Sequence, residues 1–174
     1  MLHLMISKMK NDLPKRKPTR LKDFDYSSAG RYFITICTEN RRELLSKINV
    51  GQGLAPAENR LTKYGEIARE QIELLENRYK NIKIDKYVIM PNHIHILISN
   101  YENTAGASPC PTISDVMCTF KSITTRVCKK EGLSRPHLFQ SSFYDRIIRD
   151  EKEYIAAWEY IDTNIFKWDT DDFY

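Results

Sequence analysis

Apolar and β-branched residues gather into short alternating runs, and longer stretches with a helical period separate them. The first run, Arg31-Tyr-Phe-Ile-Thr-Ile-Cys-Thr38, follows the turn-forming Ser27-Ser-Ala-Gly30 and reads as a strand. A loop is expected from Asn40 past Gly51 and Gly53 to Pro56. From Thr62 to about Tyr79, Ile67, Ile72, Leu74 and Leu75 recur among charges, the pattern of an amphipathic helix. Tyr87-Val-Ile-Met-Pro-Asn-His-Ile-His-Ile-Leu-Ile98 then reads as two strand segments bent at Pro91 and Asn92.

The stretch from Asn100 to Thr112 is rich in Asn, Gly, Ser and Pro, which predicts a flexible loop. Thr112 or Ser114 caps a second helix with Val116, Phe120, Ile123 and Val127 on one face; Gly132 to Pro136 end it. Phe143 to Arg149 alternates as a strand. Asp150-Glu-Lys-Glu153 opens a last helix to about Asn164, its acidic residues at the positive end of the helix dipole. Its apolar face is expected to be Ile155, Trp158, Ile161 and Ile165. The order strand, helix, strand, strand, helix, strand, helix predicts an α+β fold. We expect a ferredoxin-like (split βαβ) antiparallel sheet covered by helices. Residues 23–174 are read as one domain behind a basic, irregular arm of residues 1–22, punctuated by Pro14 and Pro18.

Composition adds bounds. A chain of 174 residues, 41% hydrophobic and 29% charged, is ordinary for a globular domain with a real core. No apolar run reaches the length of a membrane span, so the expected place is the cytosol, beside the nucleoid. Cys37, Cys110, Cys118 and Cys128 lack C-x-x-C spacing and read as reduced, mostly buried thiols. The net charge of +4 permits a polyanionic partner without demanding one. Its ten Tyr and seven Phe suit stacking on unpaired bases as well as a core.

Candidate chemistry sits where the patterns break. His93 and His95 are two apart on a strand, so both imidazoles leave one face while Ile94 and Ile96 enter the other. Two histidines on a rigid strand form half of a metal site, although such a pair also occurs as plain surface polarity. In the last helix Tyr160 and Asn164 are four apart and stack on one face. An amide oxygen suits a hard divalent cation such as Mg²⁺ or Mn²⁺, and a nearby tyrosine can serve as a nucleophile. By spacing alone, a Tyr and an Asn in a helix usually mean packing and solvent contact rather than chemistry.

These segments together resemble the single-tyrosine HUH transposases, and most closely the REP-associated tyrosine transposases. The resemblance rests on Arg31 to Thr38, Val88 to His95, Phe120-Lys-Ser122, Phe139-Gln140, Phe143 to Asp150, and Tyr160-Ile-Asp-Thr-Asn164. It implies His93, His95 and Asn164 as ligands of a divalent metal, and Tyr160 as the nucleophile that forms a 5′-phosphotyrosine. The implied partner is single-stranded or hairpin DNA from repetitive palindromic elements, bound by a monomer or homodimer. Arg41, Arg42, Lys121, Arg126, Lys129, Arg146 and Arg149 are the expected DNA contacts. The family often has Pro after this Asn; Ile165 here would let the helix continue. Two other functions stay open: a non-catalytic hairpin-binding module, and a metal-dependent phosphodiesterase that uses water.

Overall fold

The computed structural model describes residues 29–49, 58–101 and 111–170. The basic arm, most of the loop expected after Asn100 and the last four residues lie outside them. Strand β1 (Gly30–Cys37) is followed by a 3₁₀ turn at Glu39–Arg41, then by β2 (Ser46–Asn49) and β3 (Glu58–Leu61). Helices α1 (Lys63–Glu73) and α2 (Leu75–Arg78) lead to β4 (Ile82–Ile89) and β5 (His93–Asn100). Then come α3 (Ile113–Lys130), β6 (Tyr144–Ile148), α4 (Glu151–Thr163) and a 3₁₀ segment, Asn164–Thr170.

The main sheet has the order β4-β5-β1-β6, and each neighbouring pair is antiparallel. β1 and β4 therefore run parallel with β5 inserted between them, which is the split βαβ arrangement expected. β2 is a departure from the expected loop, pairing with β3 from Ser46↔Leu61 to Asn49↔Glu58, while residues 50–57 of that loop lie outside the described residues. Four-residue strands rich in Lys, Asn, Arg and Glu carry no apolar alternation, so only tertiary pairing reveals them.

Local chemistry sets the helix ends. Thr62 Oγ1 accepts the Gly65 N–H, at 3.2 Å, to open α1. Thr112 and Asp115 form a reciprocal capping box on α3, and Asp150 Oδ1 accepts the Glu153 N–H, at 2.8 Å, on α4. Past α3, Gly132 takes φ +92, where a side chain would be strained, and the Leu133 N–H returns to the Cys128 carbonyl.

Alternation then divides the sheet into two faces. Tyr32, Ile34 and Ile36 of β1 with Ile94, Ile96 and Ile98 of β5 meet α1 and α3 in the larger core. Phe33, Val88, Leu97 and Ile148 turn the other way and meet α4 through Ile161 and Trp168. A bulge between Ile84 and Lys86 shifts the β4 register, so Tyr87 and Ile89 still reach the larger core. The expected apolar face of α4 is half right: Ile161 is buried and Ile165 packs against the same cluster, whereas Ile155 is 50% and Trp158 37% exposed. The buried face instead adds Ala157, and past the helix Asn164 and Trp168, the last stacked on His93. Of the thiols in the described residues, Cys37 and Cys128 are buried and Cys118 is exposed. Among the described residues no helix is long and apolar enough to cross a membrane.

Candidate active site

His93 opens β5 directly after the bend, and its neighbours hold that bend on several sides. The Met90 N–H bonds the His93 carbonyl at 2.8 Å, the Leu45 N–H bonds Pro91 O, and the Thr38 N–H bonds Asn92 O. Thr38 Oγ1 adds a bond to Asn92 O at 3.0 Å. The strand start is thus fixed from β1 and from the segment before β2.

The two imidazoles project from the α4 face as the strand period requires, with ring centroids 4.5 Å apart. His93 is 0% and His95 1% exposed. Asn92 Oδ1 accepts from His93 Nδ1 at 2.7 Å, and His95 Nδ1 bonds Thr35 Oγ1 at 2.8 Å. Both rings are therefore fixed through Nδ1, which leaves Nε2 as the atom presented to the site. Both Nε2 atoms and Asn164 Oδ1 are buried and stand outside the hydrogen-bond network. Burial drives the His95 pKa down to about 2, with His93 as a further cause, so its ring is neutral, the form in which an imidazole ligates.

Helix α4 closes the site. The Tyr160 ring meets His95 edge-on at 5.2 Å, and two helical turns later Trp168 stacks on His93 at 6.1 Å. Asn164 stands between them in sequence on this inner face and is 1% exposed, while Tyr160 remains 36% exposed. The helix does not stop at Asn164; it passes into the 3₁₀ segment, as Ile165 in place of Pro allows. That continuation brings Trp168 over His93. Sequence reasoning missed Trp168, and also Phe33, which stacks on His95 at 5.1 Å and meets Tyr160 at 5.7 Å. Phe33 was legible in principle: it lies on the outward phase of β1, opposite the Ile34 and Ile36 that form the core.

The structure therefore brings His93, His95 and Tyr160 together, with Asn164 buried one turn after Tyr160. Among the described residues no third His, Cys, Asp or Glu joins the histidines in a metal-holding group. Two imidazole nitrogens and a neutral amide oxygen form a donor set that fits a hard or borderline divalent cation with open positions.

The basic residues divide among three places. Lys121, Arg126, Lys129 and Lys130 line a groove of about 890 Å³ with His137 and Phe139, on the α3 side of the sheet. Within it Lys121 is committed to the fold: Nζ donates to Ser141 O at 2.7 Å and Ser142 O at 3.3 Å, and burial lowers its pKa. Arg126 and Lys129 stay exposed. Arg41 and Arg42 are exposed beyond β1, where Asn40 (φ 57) and Arg41 (φ 52) both take left-handed backbone. Arg146 pairs with Glu153 at 2.9 Å, and the Arg149 backbone N–H also bonds Glu153. Arg146 lines a second cleft, of about 630 Å³, whose wall includes Tyr160.

With this geometry in hand, the comparisons are specific. The family model described as "Transposase IS200 like" matches residues 26–164. An "Uncharacterized protein" of Haemophilus influenzae is 31% identical over 185 residues, which span 98% of this chain and 99% of its own. A solved REP-associated tyrosine transposase bound to a REP hairpin is similar in fold, with TM-score 0.60 and 19% identity; the match covers 86% of this chain and 74% of the other.

Proposed function

This chain belongs to the IS200-like transposase family, and from that premise we propose that it cleaves and rejoins single-stranded, hairpin-bearing DNA through Tyr160. The observation that carries this reading is the buried pair His93 and His95 beneath a tyrosine that contacts His95 and remains partly exposed, with Asn164 buried one turn further along the chain. A phosphodiester repels nucleophiles through its own charge, and a half-exposed phenol in a preorganised pocket can approach one only where the backbone bends freely. Unpaired DNA meets that need. The phenolic oxygen forms the new O–P bond, the P–O3′ bond breaks, the phenol loses its proton and the leaving 3′-oxygen gains one. The 5′-phosphotyrosine conserves the bond energy, so rejoining is the reverse step and requires no nucleotide cofactor.

His93 Nε2, His95 Nε2 and Asn164 Oδ1 are the atoms that would hold a divalent metal, Mg²⁺ or Mn²⁺. When bound there, it would supply charge stabilisation for the pentacovalent phosphorus and lower the phenol pKa. The residues of the chain provide the rest. Asn92 and Thr35 orient the rings, and Phe33 and Trp168 exclude water from their flanks.

The test is a denaturing gel with end-labelled, single-stranded hairpin DNA and Mn²⁺. A protein–DNA adduct should form with the unaltered chain and vanish in Tyr160→Phe, while gel-shift binding persists. Cleavage without any adduct would favour the hydrolase, and binding without cleavage the non-catalytic module. An adduct that persists in Tyr160→Phe would move the nucleophile elsewhere.

A further inference from the structure

The cleft beside Tyr160 is not used by the chemistry above. It lies between β6 and α4, and its volume of about 630 Å³ falls within the range of small-ligand pockets. Phe33, Ile148, Ala156 and Ala157 form its apolar walls. The alanines matter by their size, since their neighbours Ile155 and Trp158 on the same helix are bulky. Phe33 is the shared element: the same ring touches His95 and Tyr160 and faces the cleft.

The rim carries two cations, Arg146 and Lys152, and two carboxylates, Asp150 and Glu153. Both carboxylates are engaged within the chain, Asp150 with the Glu153 N–H at 2.8 Å and Glu153 with the Arg149 N–H at 3.0 Å and with Arg146. Lys152 is exposed at the rim and forms no ion pair among the described residues. An apolar slot with an aromatic wall and a lysine at its rim complements a base joined to a phosphate.

We propose that this cleft seats one unpaired base of the DNA strand, that of a nucleotide adjoining the phosphate attacked by Tyr160. The proposal rests on the reading of Tyr160 as nucleophile and adds how the strand is held there. The base leaves the stack, lies against Phe33 between Ile148 and the two alanines, and leaves its phosphate near Lys152. A base so held fixes its own backbone against the Tyr160 ring, because Phe33 touches both. Phe33, Ile148, Ala156 and Ala157 offer no hydrogen-bond pattern to a base lying against them, so the cleft selects for an unpaired position.

Two measurements test this. Hairpin DNA carrying 2-aminopurine at either nucleotide flanking the cleavage point is bound to the full chain in EDTA, so that no cleavage occurs. One of the two positions should gain fluorescence several-fold as its base leaves the stack, and Ala156→Leu should abolish that gain. Leucine is a good helix former at this exposed helical position and fills the slot. In Mn²⁺, an abasic site at that same position should slow adduct formation by about 10-fold in the unaltered chain, as lost base stacking predicts. It should have little further effect in Ala156→Leu. No fluorescence change at either position, or one that survives in Ala156→Leu, overturns the cleft as a base seat. The nucleophile is judged apart from this, by whether intact DNA forms an adduct that Tyr160→Phe abolishes. The EDTA measurement decides the cleft whichever way that falls.

Discussion

Ile94, Ile96 and Ile98 are each 0% exposed, and so is His93, with His95 at 1%. They alternate along one strand, yet their burial means different things. The isoleucines meet α1 and α3 in an apolar, closely packed core. The histidines meet α4, where their rings are held by Asn92 and Thr35 and roofed by Tyr160 and Trp168. Burying polar nitrogens costs free energy that burying isoleucine contributes. The apolar face therefore provides the rigidity that the polar face requires, and the bend at Pro91 and Asn92 transmits it.

The sharpest way to break this contrast is to change one residue on each face. His95→Ala should abolish Mn²⁺-dependent adduct formation while the thermal midpoint moves little. Thr35→Val, which removes only the partner of His95 Nδ1, should weaken metal affinity by about 10- to 100-fold by calorimetry. Full adduct yield in His95→Ala would remove the ligand assignment. Ile96→Ala should do the opposite: roughly 2–5 kcal/mol of stability is lost, by urea denaturation, with the adduct yield per folded molecule retained. Equal losses of activity from both faces would mean that the division of labour is not real.

Acid tests the polar face next. In the metal-free chain the His95 ring is neutral, its pKa driven to about 2, whereas an unfolded histidine titrates near its ordinary value. The unfolded state therefore binds the extra proton below about pH 6.5, and stability falls as pH falls. At pH 5 this histidine alone should cost about 2 kcal/mol relative to pH 8. Urea denaturation at the two pH values should show a smaller difference in His95→Gln. An undiminished difference would place the acid sensitivity elsewhere.

How much of this was legible follows from the same contrast. β1, β5, α3 and the start of α4 were readable because alternation, the Thr112 box and the Asp150 cap are local signals. On the inner face of α4, Ile161 and Ile165 follow the apolar period and pack inward, whereas Ala157, Asn164 and Trp168 join them outside it. Apolar periodicity also chose Ile155 and Trp158, which are exposed. Trp158 is held on the outside by Lys86, whose Nζ lies 4.2 Å from its ring centroid. The β2–β3 hairpin was hidden because its pairing is tertiary. In the site, the spacing of His93, His95, Tyr160 and Asn164 was readable, whereas Phe33 and Trp168 act through contacts that no spacing encodes.

The smallest effect separates binding from chemistry across the sheet. The α3 groove lies on the apolar side, away from Tyr160, and its cations differ in their ties. Arg126 and Lys129 are exposed, while Lys121 holds the Ser141 and Ser142 carbonyls. If the groove follows a DNA backbone, Arg126→Gln and Lys129→Gln should each reduce the slope of log affinity against log salt by about 0.7–0.9, measured between about 50 and 200 mM. Adduct formation at saturating DNA should stay unchanged in both. Lys121→Met should leave the slope nearly as it was and instead lose about 1 kcal/mol of stability, since its charge serves two carbonyls of the chain. A slope change in Lys121→Met as large as in Lys129→Gln would show that the tether opens to meet phosphate. An unchanged slope in Arg126→Gln and Lys129→Gln would mean that α3 presents only a solvated face, and the DNA would then be held from the Tyr160 side of the sheet.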